Sequence, residues 1–110
     1  NDMGGTGTFT IPIIQEVKEK YIPYKAELHQ NFPNPFNPIT TISFTLLEKT
    51  KAKIVLYDLL GNEIKTIYDG IADAGKTVID FKADGLPSGV YLYTLYLNNV
   101  SLSRKMILLK

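Results

Sequence analysis

Val90-Tyr91-Leu92-Tyr93-Thr94-Leu95-Tyr96-Leu97-Asn98-Asn99-Val100-Ser101-Leu102-Ser103-Arg104-Lys105-Met106-Ile107-Leu108-Leu109 is the stretch whose reading decides the fold. Val90–Leu97 is rich in Tyr, Leu, Val and Thr, side chains that fit a pleated, half-buried surface, and it gives the longest strand signal in the chain. Asn98-Asn99 then supplies a two-residue turn of type I′, because Asn tolerates positive φ. Leu102–Leu109 returns as a second strand, so this region reads as an antiparallel hairpin.

Upstream of the hairpin, similar short segments recur. Ile42, Phe44 and Leu46 alternate with Thr41, Ser43 and Thr45. Ala52, Ile54 and Leu56 alternate with Lys53, Val55 and Tyr57, and Thr77, Ile79 and Phe81 with Val78, Asp80 and Lys82. Period-two alternation is the mark of a strand with one buried face. The turn Leu60-Gly61-Asn62-Glu63 leads into a strand over Ile64–Tyr68. Asp69-Gly70 and Ala74-Gly75 are further turn signals. Ala83-Asp84-Gly85-Leu86-Pro87-Ser88-Gly89 is a loop in which Gly89 supplies a bend before the long strand. Six or seven short strands with frequent turns predict an all-β fold, an antiparallel β-sandwich.

Asn31-Phe32-Pro33-Asn34-Pro35-Phe36-Asn37-Pro38 holds three prolines and three asparagines in eight residues. Proline fixes φ and holds the preceding residue extended, and Asn bonds nearby backbone. The stretch predicts a stiff, irregular loop whose two aromatic rings point into apolar surroundings. Residues 1–27 read as a linker or the end of a preceding domain, with residues 1–8 a candidate cloning scar. Within them, Phe9–Ile14 reads as a strand, followed by an extended charged linker through about Glu27. Ile13, Val17 and Tyr21 also share one face of a short helix, but Pro12 and Pro23 bracket that stretch. The N-terminal residues lack the charged-then-apolar pattern of a signal peptide.

The chain has 110 residues, 45% of them hydrophobic, which suits one domain with a modest core. The net charge of +1 carries no nucleic-acid footprint, and no apolar run approaches a membrane span. With no cysteine, there is no disulfide framework and no thiolate metal site. The single histidine, His29, and four serines make a nucleophile–base–orienter set an unsupported reading, and the residues predict no enzyme, no cofactor and no metal. Asp58, Asp69 and Asp84 sit where capping and Asx-turns are common. A loop calcium site through Asp73 or Asp84 is the residual alternative. Gly85–Gly89 lies between strands, and so lacks the helix behind it that a phosphate loop needs. Tyr91, Tyr93 and Leu95 share one strand face and read as core; exposed instead, such a row would stack sugars. Arg104–Lys110 reads either as a charge-protected edge strand or as an exposed recognition signal.

Several pieces, in their order and spacing, resemble the type A C-terminal sorting domain of proteins exported by the type IX secretion system of Bacteroidetes. The resemblance covers about residues 28–110. It is carried by Gln30–Pro38, Thr40-Thr41-Ile42, Val55-Leu56-Tyr57-Asp58-Leu59-Leu60-Gly61-Asn62-Glu63-Ile64, Leu86-Pro87-Ser88-Gly89-Val90-Tyr91-Leu92-Tyr93, and Arg104–Lys110. Phe32 stands where Tyr is common in the family and Phe81 where Trp is common. The resemblance implies an immunoglobulin-like antiparallel β-sandwich of about seven strands that rides at the C-terminus of a larger cargo domain. Its implied partners are an outer-membrane translocon, a shuttle and a sortase-like peptidase that cuts before Leu28 and anchors the cargo at the cell surface. Export through the periplasm and outer membrane to the surface or extracellular space follows from the same resemblance.

Within that reading, Gly89, Tyr91, Arg104, Lys105, Met106 and Lys110 are the candidate recognition residues. Tyr91 is expected to anchor a corner through its hydroxyl, and the last strand to offer an edge that a partner extends. Pro33, Asn34, Pro35, Asn37, Pro38, Tyr57, Asp58 and Gly61 are candidate structural motif residues. The alternative function is a carbohydrate- or surface-binding accessory sandwich. A flagellar hook-cap type of immunoglobulin-like domain shares the Tyr-Asp-x-x-Gly pattern but not the Lys-Met-x-x-x-Lys ending.

Overall fold

A computed structural model describes residues 26–110. Seven strands follow in order: β1 (Ala26–Leu28), β2 (Ile39–Leu46), β3 (Thr50–Tyr57), β4 (Glu63–Ala72), β5 (Gly75–Lys82), β6 (Gly89–Tyr96) and β7 (Ser101–Leu108). They form two antiparallel sheets, β1-β2-β5 and β4-β3-β6-β7. In immunoglobulin lettering these are ABE and C′CFG, so the expected β-sandwich is the observed one. The expected strand over Phe9–Ile14, and the helical alternative around Val17, lie outside the described residues.

The alternation seen in the sequence builds the core. Ile42, Phe44 and Leu46 of β2, Ala52, Ile54 and Leu56 of β3, Tyr91, Tyr93 and Leu95 of β6 and Met106 and Leu108 of β7 are all buried. These inner faces pack sheet on sheet. Phe44 meets Tyr68 edge-on, with ring centroids 5.7 Å apart. The aromatic row on β6 is therefore core, as expected.

Four local expectations are corrected. The charged linker does not run through Glu27: Ala26 and Leu28 are buried, and Ala26–Leu28 pairs with Leu46–Phe44 as β1. Asp69-Gly70 is no turn. It lies inside β4, where Asp69 stands opposite Lys53 and Gly70 opposite Ala52, so tertiary pairing overrides the local turn preference. β4, with 10 residues, is longer than the eight-residue β6. Its ladder to β3 shifts register between Ile54 and Val55 and between Leu56 and Tyr57, so Ile67 and Ile64 are extra residues in bulges. The last strand occupies Ser101–Leu108 and leaves Leu109 outside it.

The Asn98-Asn99 connection is as short as expected, closed by the Leu97 N–H on the Val100 carbonyl at 2.9 Å. Gly75, with φ of 104°, sits in the left-handed region at the start of β5, where a side chain would strain the turn.

Candidate recognition site

Strand register collects the quoted motifs at one end of the sandwich. Ile39 at the start of β2 stands opposite Lys82 at the end of β5, Tyr57 at the end of β3 opposite Leu92, and Gly89 opposite Leu108. The Pro/Asn loop, the Asp58 turn, the Leu86–Gly89 corner and the end of β7 therefore share that end.

β7 is the edge strand of its sheet, and its two faces treat the candidate residues differently. Leu102, Arg104, Met106 and Leu108 stand opposite Leu95, Tyr93, Tyr91 and Gly89 on the core-facing row. Met106 is fully buried, so on the folded domain its side chain meets core and no partner. Arg104 shares that row, yet it is exposed; its Nε reaches the Leu28 carbonyl of the other sheet at 2.9 Å. The long stem carries the charge out past the core edge. An inward-row charge on an edge strand also discourages unwanted strand pairing. Lys105 points to solvent.

The outer edge of β7 is already filled along its second half. The Gln30 side-chain amide donates to the Lys105 carbonyl at 2.7 Å, and the Ile107 N–H donates to Asn34 Oδ1 at 2.8 Å. The Phe36 N–H donates to the Ile107 carbonyl at 2.9 Å, and the Leu109 N–H donates to the Phe36 carbonyl at 3.0 Å. A partner adding a strand at Lys105–Leu109 would first have to displace these groups. The edge the sequence offered for augmentation is closed there by the chain itself.

The Pro/Asn loop does this because it is stapled to the core. Phe36 is buried against Phe81, with ring centroids 6.4 Å apart. Asn31 is buried, and its Nδ2 donates to Thr40 Oγ1 at 3.0 Å and to the Pro33 carbonyl at 3.2 Å. The Thr40 hydroxyl donates to the same carbonyl at 2.8 Å. The Pro38 carbonyl accepts from the Ala83 N–H at 2.9 Å. The peptide bonds before Pro33, Pro35 and Pro38 are cis. Pro33, Asn34, Pro35 and Asn37 face solvent, Pro38 is half-buried. Only one of the two aromatic rings goes inward as expected: Phe32 is 78% exposed. It pairs across from Thr41, whose side chain is on the outer face of the three-stranded sheet, and this register carries Phe32 to that face.

Two tyrosines fix the corner. The Tyr91 hydroxyl donates to the Pro87 carbonyl at the start of β6, the arrangement of a tyrosine corner. Gly89 opens that strand, and the Lys110 N–H donates to Ser88 Oγ at 2.9 Å. Tyr93 was legible only as a core ring, yet its hydroxyl is the pivot between the sheets. It donates to the His29 carbonyl at 2.6 Å and accepts from the Asn31 N–H at 2.8 Å. Burial pushes its pKa up to about 12, against the opposing effects of the Asn31 amide and the Arg104 charge. Period-two reading finds the ring; nothing local reveals partners more than 60 residues away.

At the end of β3, Asp58 holds a tight turn. Its Oδ1 accepts from the Leu60 and Asn62 N–H groups at 2.9 Å each, and its Oδ2 accepts from Asn62 Nδ2 at 3.1 Å. The Asp58 N–H donates to the Asn62 carbonyl at 3.0 Å, and the Gly61 N–H donates to the Asp58 carbonyl at 3.1 Å. The Asn62 backbone and side-chain bonds lead in holding the carboxyl below its usual range. Gly61, with φ of 89°, takes the left-handed conformation the turn needs. Tyr57 shares a short hydroxyl–hydroxyl bond with Tyr96, which raises the Tyr57 pKa to about 12.

The titratable side chains weighed for chemistry are dispersed. His29 Nε2 lies 2.8 Å from Thr45 Oγ1. Asp73 faces Lys49 at 4.0 Å and Asp84 faces Lys82 at 3.9 Å, all on the surface. Among the described residues no group of three or more His, Cys, Asp or Glu gathers as a metal site. The Pro/Asn loop, the Asp58 turn, the tyrosine corner and the end of β7 thus lie together at one end of the sandwich.

The chain is similar in fold to dimeric latent PorU from Porphyromonas gingivalis, a crystal structure, with a TM-score of 0.62 and 18% identity over 76% of this chain. It spans only 9% of the length of that protein. No curated protein matches it. The family model described as "Secretion system C-terminal sorting domain" matches residues 30–109, which takes in the Pro/Asn loop, the Asp58 turn, the tyrosine corner and β7. The chain therefore belongs to the secretion system C-terminal sorting domain family, the non-catalytic sorting signal of type IX export across the outer membrane.

Proposed function

We propose that this domain is read in its folded state by the outer-membrane translocon, which exports the cargo domain attached at its N-terminal side. A shuttle and a sortase-like peptidase then deliver the cargo to the cell surface and release it from the domain. The observation that carries this reading is the closure of β7 by Gln30, Asn34 and Phe36, which presents the C-terminal strand and the Pro/Asn loop as one rigid surface. A preshaped surface loses little conformational entropy on binding. Gly89, Tyr91 and Met106 act by holding that surface in shape. Arg104, Lys105 and Lys110 supply its charge. The cut falls before Ala26, because Ala26 and Leu28 are core residues of β1.

The test is export of a reporter fused to residues 1–110 in a bacterium that has the system. Deleting Arg104–Lys110 cannot separate recognition from folding, since Met106 and Leu108 leave with it. Reversing the exposed charges, Lys105→Glu with Lys110→Glu, keeps the core intact. The fusion is expected outside the cell and the charge-reversed form retained in the periplasm. A wild-type fusion that stays in the periplasm refutes the reading. The carbohydrate-binding alternative loses its platform, because Tyr91 and Tyr93 are buried.

A further inference from the structure

Asp58-Leu59-Leu60-Gly61-Asn62-Glu63 spends its backbone and two side chains on holding one shape, and then points two leucines at water. Leu59 is 62% exposed and Leu60 is 88% exposed, the highest value among the exposed large apolar residues of the described chain. Neither side chain is needed by the turn. The bonds that fix it come from Asp58, Asn62 and the backbone, and polar residues serve such central positions equally well. A single exposed leucine is ordinary on a protein surface. Two on a rigid tip, at the motif-bearing end, are a different case. Phe32, Ile39, Leu59, Leu60 and Leu109, five of the nine exposed large apolar residues, lie at that end.

The charges beside the tip select the occupant. Asp58 and Glu63 flank the leucines, and both are acidic. The nearest cation along the chain, Lys65, lies over the Phe81 ring, 5.7 Å from its centroid. A basic rim around an apolar pocket complements the two carboxylates beside the leucines.

We propose that Leu59 and Leu60 form an apolar recognition tip, distinct from β7, that seats in an apolar, basic-rimmed pocket of a protein of the secretion machinery. This inference rests on the sorting-signal reading and names a second contact for it. The turn is rigid before binding, so the leucines enter without ordering a loop.

The experiment compares the full chain, fused to a reporter, with the double variant Leu59→Ser/Leu60→Ser in a bacterium with type IX secretion. The double variant is expected to melt at the wild-type temperature. Its export is expected to fall about tenfold or more, the loss typical of a hot-spot side chain. Overproduced wild-type chain is expected to slow export of the host's own cargo, and the double variant to have lost that competition, which a purely structural role would not produce. Glu63→Lys is expected to reduce export more than Glu63→Gln. Unchanged export and competition by the double variant overturn the tip. So does leucine-dependent sedimentation of the chain with phosphatidylcholine–phosphatidylglycerol vesicles, which assigns the tip to lipid. Equal or greater export of Glu63→Lys removes the basic rim. Failure of the wild-type fusion to leave the cell refutes the sorting reading itself, a separate outcome.

Discussion

Replacing Tyr93 by Phe removes one oxygen atom and leaves the ring in place. In the structure that oxygen donates to the His29 carbonyl and accepts from the Asn31 N–H. Asn31 is 1% exposed, so its amide has no water to turn to and bears the full desolvation cost, about 1–3 kcal/mol. His29 is half-buried, and its carbonyl recovers part of its bond from solvent, a loss of about 1 kcal/mol. The sum is about 2–4 kcal/mol, a large share of the roughly 5–15 kcal/mol that holds a domain of this kind. Urea unfolding followed by far-UV circular dichroism should show the midpoint fall with an unchanged slope. Thermal melting should drop by roughly 10–25 °C.

The hydroxyl also sets a pH dependence. Its pKa in the folded state is raised to about 12, from the ordinary 10.0 of the unfolded chain. A raised folded pKa means that stability is complete below pH 10 and declines as pH rises toward about 12. Tyr93→Phe should flatten that alkaline decline and leave the part due to Tyr57. A loss below about 0.5 kcal/mol, inside the range of neutral surface changes, would refute the pivot role.

Met106→Ala should cost about 2–5 kcal/mol in chemical denaturation, as a buried truncation, whereas Lys105→Ala should stay within about 0.5 kcal/mol. Equal effects would mean that β7 does not present alternate faces. Asn34→Ala should remove the acceptor for the Ile107 N–H, cost about 1 kcal/mol and speed amide exchange at Ile107, leaving exchange at Ile54 governed by global unfolding. Gly61→Ala should cost about 1–2 kcal/mol through its left-handed backbone, since no neighbouring atom lies within 4 Å of the added carbon. Asp58 is held below the ordinary carboxylate pKa, so its stabilising bonds are complete above that ordinary value and are lost as pH falls through the depressed one. The amide shifts of Leu60 and Asn62 should therefore titrate together, with a midpoint below that of a free aspartate; a midpoint at or above it would contradict the turn.

The strands that pack one face inward were readable because their alternation survives folding. The inward rows of β2, β3, β5 and β6 fall where period two puts them, although Ser43, Val55 and Thr94 on the opposite rows are buried as well, and the short Asn-Asn connection between β6 and β7 was equally plain. β4 was harder. Its two bulges shift the register, so Ile64, Ile67 and Tyr68 do not alternate cleanly, and the Asp69-Gly70 turn signal lies in a paired stretch. β1 is only three residues long, too short for any periodicity to show. The Tyr91 corner was legible because Gly89 and Pro87 mark the bend beside it. The Asn31–Tyr93 bond, the reach of Arg104 to Leu28 and the sealing of β7 were not. Each joins groups more than 60 residues apart, and neither composition nor periodicity carries that information. The burial of Met106 did follow a readable rule: it stands two residues from Leu108 and shares its face.

The seal on β7 also sets an order of events. Gln30, Asn34 and Phe36 bond to Lys105, Ile107 and Leu109, 71 to 75 positions further along the chain. Contacts that distant in sequence form only after the whole loop between them has been closed. During synthesis and passage through a membrane, the first motif waits for the last few residues to arrive. A chain interrupted before β7 lacks both the strand and the ligands that shape the Pro/Asn loop. The closed surface therefore exists only once every strand upstream of it has been made.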